Sequence, residues 1–418
     1  MAGTTDFVGV RVFSNLSSTV AKIDTRDSTV IAMASPAPEA DDTAFPVGTL
    51  VRLSTDDPVQ VAKLGEGIAL DAVNQIASEG IVADIIFLRV AHSILTDPAA
   101  KLAAETNSLV GSAALKTGVW AFLDAKSQLG LEPGVIIAPG YTSQRVGGAA
   151  NAVAVAMSAV AAKLIDCMVI VDTPTTSRED AADYAADFAT ALNVIACYPQ
   201  VIVNLGDGNV VRPMSPHVAA AMVRRDKEVG NPYKAFWNRP LQGILGPSIP
   251  VGYVDGEITS DANFLNQAGV GTIIEQNLLW APFTTASDPT VVSWRSIKRI
   301  RTRRAVEKAL LRPMRQYVAE DITPHMVSLI YRSLDQFMGD LVTLSALIDY
   351  ELLWSSSMNP ATILEAGALR VKMRFAETPD LVDLQIYTEP QPEAFDVLQS
   401  AIAAALSQLG LNNVRVTA

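Results

Sequence analysis

The fold is decided by residues 135–171, which read VIIAPGYTSQRVGGAANAVAVAMSAVAAKLIDCMVIV. The segment begins with a short apolar strand at 135–138, and a Pro-Gly dipeptide then marks a turn. The alanine-rich stretch 149–165 has the composition of a helix, and 167–171 is a second apolar run. A strand, a helix and another fully apolar strand in succession predict a parallel sheet that is covered by helices on both faces.

The same alternation continues on both sides of this segment. Residues 109–129 are expected to form a helix, and 85–90 an earlier strand of the same sheet. Ser177 precedes Asp180 by three positions, a spacing similar to that of a helix-capping box. The apolar run 194–203, interrupted by a proline, predicts another strand. The first half of the chain is therefore expected to be α/β with a mostly parallel sheet.

The sequence changes in character at 231–254, where prolines alternate with glycines, and we place a domain boundary there. Beyond it, an apolar strand is expected at 270–274, and a helix is expected to open at Thr323-Pro324. Residues 369–375 and 381–387 alternate as two strands joined by a turn, and an amphipathic helix follows them. The second half is therefore expected to be α+β.

Both ends of the chain carry short strand-like segments that are isolated from any predicted core. Val8, Val10 and Val12 alternate with other residues near the amino terminus, and Val414 and Val416 do so near the carboxyl terminus. An unpaired strand exposes main-chain N–H and C=O groups, so each segment must pair with something.

The composition argues against several classes of protein. Among the 418 residues, 49% are apolar, and Lys+Arg 32 against Asp+Glu 44 gives a net charge of −12. These values disfavour disorder and general affinity for nucleic acid. Two cysteines and three histidines do not supply a disulfide framework or a Cys/His metal cluster. No secretory signal is expected, and the most apolar window, 149–171, contains Lys163 and Asp166, so no membrane span is expected.

Asp172 is the one candidate for an enzyme site. It follows a buried strand, where open α/β sheets often place ligand-binding residues, although a carboxylate there also commonly caps a turn. The alternative of an α/β enzyme with a site at this sheet edge is therefore open. No glycine-rich phosphate loop or serine nucleophile elbow accompanies it.

The other residues that could carry chemistry are interpreted as structural. They are the three histidines and the two cysteines, namely His92, His217, His325, Cys167 and Cys197. The histidines lack the spacing of metal ligands. The cysteines lie in apolar strands, where burial raises the thiol pKa, and a disulfide between them stays open. No catalytic, cofactor-binding or metal-binding residue is assigned.

One segment departs from the acidic background. Nine basic residues and one acid, Glu307, lie between Arg295 and Arg315, so this segment carries +8 and the rest of the chain −20. Four of the basic side chains fall within an arc of about 80° on a helix. They form the basic stripe, which consists of Arg301, Arg304, Lys308 and Arg312. A charge run is often a solvated helix face. In so acidic a chain it favours an acidic partner or a neighbouring subunit, while a nucleic-acid partner would usually be accompanied by more interleaved aromatic residues.

Six segments carry a resemblance to a known family. They are GVRVFS (9–14), STVIAMASPAPEADDTAFPVGTLVRLST (28–55), LGLEPGVIIAPGYTS (129–143), VIVDTP (169–174), SDANFLNQAGVGTII (260–274) and LRVKMRFAETPDLVDLQIY (369–387). In this order, and over nearly the whole chain, they resemble the sheath proteins of contractile phage tails and related contractile injection particles.

The resemblance implies a structural subunit rather than an enzyme, one that polymerises as a helical array around a tail tube and contracts to drive the tube through the host envelope. It implies an outer α/β domain at 28–240 and a carboxy-terminal assembly domain at 241–408. Linker arms at 1–27 and 409–418 would add strands to the sheets of neighbouring subunits. The basic stripe would face the tube.

The resemblance also implies the partners and the location. The chain would associate with itself in stacked hexameric rings and with the tail tube, baseplate and tail terminator proteins. No cofactor, nucleic acid or membrane is implied. The sheath would be part of the virion tail and would be assembled in the cytoplasm of the bacterial host.

Overall fold

The structure is a computed structural model that describes residues 29–204 and 208–409. The strand-like segments predicted around Val8, Val10 and Val12, and around Val414 and Val416, lie outside the described residues.

The described residues form strands and helices throughout both halves of the chain. The strands are β1 (Ile31–Ser35), β2 (Leu50–Ser54), β3 (Asp84–Arg89), β4 (Val135–Ile137), β5 (Met168–Asp172), β6 (Val194–Cys197), β7 (Val201–Asn204), β8 (Asn209–Arg212), β9 (Arg239–Pro240), β10 (Ile244–Pro247), β11 (Val270–Ile274), β12 (Leu278–Trp280), β13 (Leu347–Leu353) and β14 (Lys372–Glu377). The α-helices are α1 (Pro58–Ala62), α2 (Ile68–Ser78), α3 (Pro98–Val110), α4 (Ala125–Leu129), α5 (Ala152–Leu164), α6 (Arg178–Ala186), α7 (Ser215–Val229), α8 (Asp261–Gln267), α9 (Ile297–Met314), α10 (Pro324–Thr343), α11 (Ala361–Glu365) and α12 (Glu393–Gln408).

Nine strands form the main sheet, in the order β2-β3-β1-β4-β5-β6-β11-β12-β9. The strands from β3 to β11 are parallel, while β2 at one edge and β12 and β9 at the other are antiparallel. The strands predicted at 85–90, 135–138, 167–171 and 270–274 correspond to β3, β4, β5 and β11. The expected α/β class with a mostly parallel sheet is therefore confirmed.

Alternate side chains of these strands fill two apolar layers, one on each face of the main sheet. In β5, Met168 and Ile170 belong to one layer, and Val169 and Val171 belong to the other. Helices α2 and α7 cover the first layer, whereas α3, α5, α6 and α8 cover the second. Burial on both faces explains why these strands are continuous apolar runs. None of the described helices is both long and apolar enough to cross a bilayer.

The single helix predicted at 109–129 is wrong, because α3 ends at Val110. Gly111 and Gly118 both have a φ angle of 59°, and the two glycines lie against each other's main chain. A Cβ atom on Gly111 would lie 2.1 Å from the carbonyl oxygen of Thr117, and one on Gly118 would lie 2.4 Å from that of Leu109. Only glycine permits this crossing. The chain therefore turns here and continues as a short 3₁₀ helix and α4.

Two smaller antiparallel sheets have the strand orders β10-β7-β8 and β13-β14. The apolar run predicted at 194–203 divides at Pro199 between β6 of the main sheet and β7 of the three-stranded sheet. The strand predicted at 381–387 is wrong, because these residues have no regular secondary structure and β14 pairs with β13 instead. Alternation alone does not supply a strand with a partner.

The main sheet draws strands from both sides of residue 240, where the sequence placed a domain boundary. Strand β11 lies beyond that position, yet it is fully buried and pairs in parallel with β6. The apolar strand expected beyond the boundary thus belongs to the main sheet. The main sheet continues across the predicted boundary. The division into domains at 28–240 and 241–408 therefore stays a prediction.

The chain divides into two compact units, residues 1–380 and 381–418. The described part of the second unit consists of an irregular segment followed by α12. Helix α12 has no buried residue, although the helix predicted to follow residues 381–387 is confirmed.

Candidate functional site: the basic helix

Helix α9 contains the basic stripe and is positioned by apolar contacts along its length. The Oγ atom of Ser296 accepts a hydrogen bond from the N–H of Arg299 and caps the helix. Ile297 packs into an apolar layer of the main sheet, and Val306 packs in a cluster with α10 and β13. The predicted basic helix is confirmed, and it begins at Ile297.

The basic stripe does not form one exposed surface. Arg301 is 3% exposed and Lys308 is 4% exposed. Arg301 forms an ion pair with Asp226 of α7, and Nζ of Lys308 lies 3.2 Å from Oε1 of Glu132. These two cations are therefore not accessible at the surface of the single subunit: Arg301 pairs with a buried acid and Lys308 with a partly buried one.

Asp166 adds a third acid to this buried ionic cluster. Burial raises the pKa of Asp166, against the opposing attraction of Lys308 and Arg301. Burial would also raise the pKa of Glu132, but Lys308 and Lys126 together hold it below its ordinary value. Apart from the partly exposed Glu132, the charges of this cluster are shielded from water, which is costly unless each buried charge retains its partner.

The first turns of α9 direct basic side chains at the end of β14. The guanidinium of Arg303 lies 4.6 Å from the ring centroid of Trp294 and 4.4 Å from that of Phe375. Its Nε atom is 2.6 Å from Oε1 of Glu377, whose side chain is 1% exposed. Arg299 lies 3.5 Å from Oε2 of the same carboxylate. A buried acid is thus held between two guanidinium groups.

The residues that follow β14 are bound to the same end of α9. Nζ of Lys298 donates a hydrogen bond to the carbonyl oxygen of Thr378, at 2.6 Å. Oγ of Ser296 donates to Oδ1 of Asp380 at 3.0 Å, and Nε1 of Trp237 donates to Oδ2 at 2.8 Å. Most of the positive charge on the amino-terminal half of α9 is therefore used within the subunit.

Two members of the basic stripe are accessible. Arg304 is partly exposed and lies 3.0 Å from Glu307, three positions further along the helix. Arg312 is exposed near the end of α9, one position before Pro313. Of the four predicted tube-facing residues, these two are the ones that solvent or a partner can reach in the subunit.

Sequence reasoning missed the acidic partners of α9, although one signal pointed to an inward face. Arg301, Ala305 and Ala309 are spaced by four positions and therefore share a helical face. Both alanines are buried, at 3% and 1% exposure. An apolar face that includes a cation predicts a buried ion pair, but the sequence does not show which acid supplies the counter-charge.

Asp172, the candidate for an enzyme site, has a structural role. Its Oδ1 atom accepts hydrogen bonds from the N–H groups of Met214 and Ser215, at 2.8 and 2.9 Å, and Oδ2 accepts one from Oγ of Ser215 at 2.6 Å. Burial raises the pKa of Asp172, against the effect of these hydrogen bonds. The carboxylate, which is 3% exposed, holds the amino-terminal end of α7 against β5.

The cysteines and histidines also have structural settings. Cys167 and Cys197 are free thiols, and burial raises the pKa of both. His217 is fully buried, with Nδ1 3.0 Å from Oε1 of Glu79, and the other two histidines are exposed. Within residues 29–204 and 208–409, no group of three or more His, Cys, Asp or Glu side chains could hold a metal ion.

Comparison with known sequences finds relatives that are named tail sheath proteins. No protein-family model matches the chain. It is 33% identical over 278 residues to a prophage major tail sheath protein of Pseudomonas aeruginosa strain UCBPP-PA14, which covers 65% of this chain and 68% of that protein. It is 26% identical over 398 residues to the major tail sheath protein of Serratia phage KSP20, which covers 93% of this chain and 97% of that protein.

A solved structure shares the fold at low sequence identity. The sheath complex of an extracellular contractile injection system, PVC, in its contracted state matches with a TM-score of 0.66 and 14% identity. The match covers 94% of this chain and the whole of that chain.

Proposed function

The chain belongs to the tail sheath proteins of contractile phage tails, and from this premise we propose that copies of it assemble as a helical array around a tail tube. Its role is that of a structural subunit rather than an enzyme, as it is for these relatives. The alternative of an enzyme site at Asp172 has no support, because that carboxylate is occupied by the end of α7. Contraction by rigid-body rearrangement of such subunits would drive the tube outward.

The observation that carries this proposal is the two-stranded sheet β13-β14. Among the described residues, neither strand pairs with a third strand, so each has an open edge. Ile348 of β13 is 60% exposed. We propose that this sheet accepts the arm segments 8–12 and 414–416 of neighbouring subunits, because added strands supply main-chain hydrogen bonds with little demand on sequence.

Replacing Val10 by proline tests this linkage, with threonine as the matched control. Proline removes a main-chain donor and disfavours a paired strand, whereas threonine keeps both the donor and a β-branched side chain. We expect V10P subunits to keep the wild-type melting temperature but to form no long tubes in electron micrographs, while V10T subunits form them. Long tubes from V10P, or from a chain that lacks residues 1–13, would contradict strand donation by this arm.

We also propose that the accessible part of the basic stripe contacts the tube. Arg304 and Arg312 support this, since both can be reached by a partner in a chain whose net charge is otherwise strongly negative. Arg301 and Lys308, which we first placed on the same surface, would contribute by holding α9 in position. A contact made by exposed cations is weakened by salt and is easily broken during contraction.

Charge reversal at Arg304 and Arg312 tests the tube contact. The double Arg→Glu variant is co-expressed with the cognate tube protein, and the double variant Lys63→Glu/Lys101→Glu, at two exposed positions away from α9, serves as the control with the same change of charge. We expect the double variant to lose tube association at low salt and the control to retain it. Unchanged association of the double variant at low salt would remove this surface from the proposal.

The wider arrangement is proposed on the same basis. The residues before 240 would form most of the outer part of the sheath subunit, and the region with α9, α10 and β13-β14 would face the axis. Baseplate and tail terminator proteins would close the two ends of stacked hexameric rings. The sheath would be part of a phage or prophage tail that is assembled in the cytoplasm of the bacterial host.

A further inference from the structure

Residues 377–380 stand at the point where the first compact unit ends. The second unit begins at Leu381, and residues 381–391 have no regular secondary structure. We call residues 377–380, together with their partners on α9 and Trp237, the root clamp. In the proposed sheath, a neighbouring subunit would pull on the carboxyl-terminal unit. The root clamp lies where that pull would reach the first unit.

The inner part of the root clamp is a buried carboxylate that two partly exposed arginines pair with, beside an aromatic ring. Glu377 is 2% exposed, and both arginines near its carboxylate also lie over the ring of Trp294, at 4.8 Å for Arg299 and 4.6 Å for Arg303. A buried carboxylate is costly unless it is closely paired. An apolar residue at this position would avoid the free-energy cost of burying a charge. The carboxylate instead provides a charged attachment with a defined direction.

The outer part of the root clamp fixes the main chain and the last side chain before the second unit. Lys298 holds the carbonyl group of Thr378, and Pro379 restricts the backbone. Asp380 accepts one hydrogen bond from Ser296 and one from Trp237. The attachment therefore involves two separate parts of the chain, the start of α9 and the segment before β9.

Helix α9 continues from this attachment into the α/β region. On another face, the same helix carries the buried pair Arg301–Asp226 and the pair of buried Lys308 with the partly buried Glu132. The partners of these cations lie on α7 and on the loop before β4. A continuous chain of ion pairs and hydrogen bonds thus runs from the end of β14 through α9 to the elements that cover the main sheet.

We propose that Glu377 and Asp380 are positioning residues that fix the root of the carboxyl-terminal unit, so that tension carried by this unit in a sheath passes through α9 into the main sheet. This rests on the proposed linkage of subunits by their arms. Without the root clamp, tension would instead peel β14 from β13, since the hydrogen bonds of a two-stranded ladder break one at a time when pulled from an end.

The test measures motion of the root in the unpolymerised subunit. A nitroxide is attached to a Leu384→Cys variant, which is selective because Cys167 and Cys197 are 2% and 1% exposed. Electron paramagnetic resonance then reports nanosecond motion at the label. We expect Asp380→Ala and Glu377→Gln to increase the label's rotational rate several-fold, and Asp380→Asn, which keeps an acceptor oxygen, to give a smaller increase.

Asp84→Asn is the matched control, since it weakens an ion pair with Arg52 at 2.8 Å on the far edge of the main sheet. We expect no change of label motion in this variant. Hydrogen exchange of β4 and β5 should be the same in all variants, which separates loss of positioning from general destabilisation. Sheaths of the Asp380→Ala subunit should break into shorter lengths under shear than wild-type sheaths.

Unchanged label motion in Asp380→Ala would overturn the proposal, and this variant decides the matter if Glu377→Gln does not fold. Sheaths of normal length and contraction from a chain without residues 409–418 would instead refute the arm linkage. That outcome would leave the label measurement unaffected, because it is made on single subunits.

Discussion

Strand β5 and helix α12 are both rich in apolar side chains, yet β5 buries all five of its residues and α12 buries none of its sixteen. In β5, Val169 and Ile170 are 0% exposed, whereas Phe395 and Ile402 of α12 are 72% and 51% exposed. In proteins, most of the stability of a helix comes from packing of its apolar face. The main sheet thus encloses apolar layers of its own, whereas the carboxyl-terminal unit, taken by itself, has no buried core in its helix.

The largest loss of stability is expected from a substitution in the buried ionic cluster of α9. Asp226→Ala leaves Arg301 buried without its counter-ion and should reduce the free energy of unfolding by about 3–5 kcal/mol. Glu351→Ala removes an exposed pair with Arg374 and should cost about 0–1 kcal/mol. Chemical denaturation of unpolymerised subunits measures both. Equal losses would show that the buried pair does not join α9 to the α/β region.

The second largest effect is expected from an Ile→Ala substitution, whose cost in stability should differ between the main sheet and α12. Ile136→Ala removes a fully buried side chain from β4 and should cost about 2–5 kcal/mol. Ile402→Ala in α12 should change the stability of the unpolymerised subunit by less than about 0.5 kcal/mol. The second variant should nevertheless form fewer and shorter sheaths. If Ile402→Ala destabilises the single subunit as much as Ile136→Ala, the exposure of Ile402 does not describe the subunit in solution and the comparison fails.

A smaller effect is expected in the pH dependence of stability. Because burial raises the pKa of Asp166 above its ordinary value near 3.8, its ionisation favours the unfolded state and costs stability as the pH rises. Asp166→Asn should therefore stabilise the subunit relative to wild type at neutral pH, and this advantage should shrink as the pH falls toward 4. Melting temperatures measured across this range would contradict the assignment if the difference did not change with pH.

The main sheet could be predicted from the sequence because its strands are apolar on both faces. Residues 135–171 also contain local signals for where the elements begin and end, with a turn after β4 and an N-cap asparagine, Asn151, before α5. The order of the strands could not be predicted, since β11 joins β6 from well beyond the expected boundary. Pairing over such a distance depends on main-chain hydrogen bonds that leave little trace in the side-chain pattern.

The candidate site was predicted in part. The basic segment does form a helix, but helical phase alone does not separate cations that face water from cations that face a buried acid. Arg301 pairs with Asp226, which lies 75 positions earlier in the chain. Nothing local to either residue indicates this partner, so the exposed and buried members of the basic stripe could be separated only in the folded chain.

Sequence divergence is blocked at Gly111 and Gly118 in a way that does not apply to ordinary core positions. A core residue can change size during evolution if a neighbouring side chain changes in compensation. At these two glycines the obstacles are main-chain atoms of Thr117 and Leu109, which no compensating substitution removes. Loss of either glycine in a related chain therefore requires the main chain of the 111–118 connection to be rearranged.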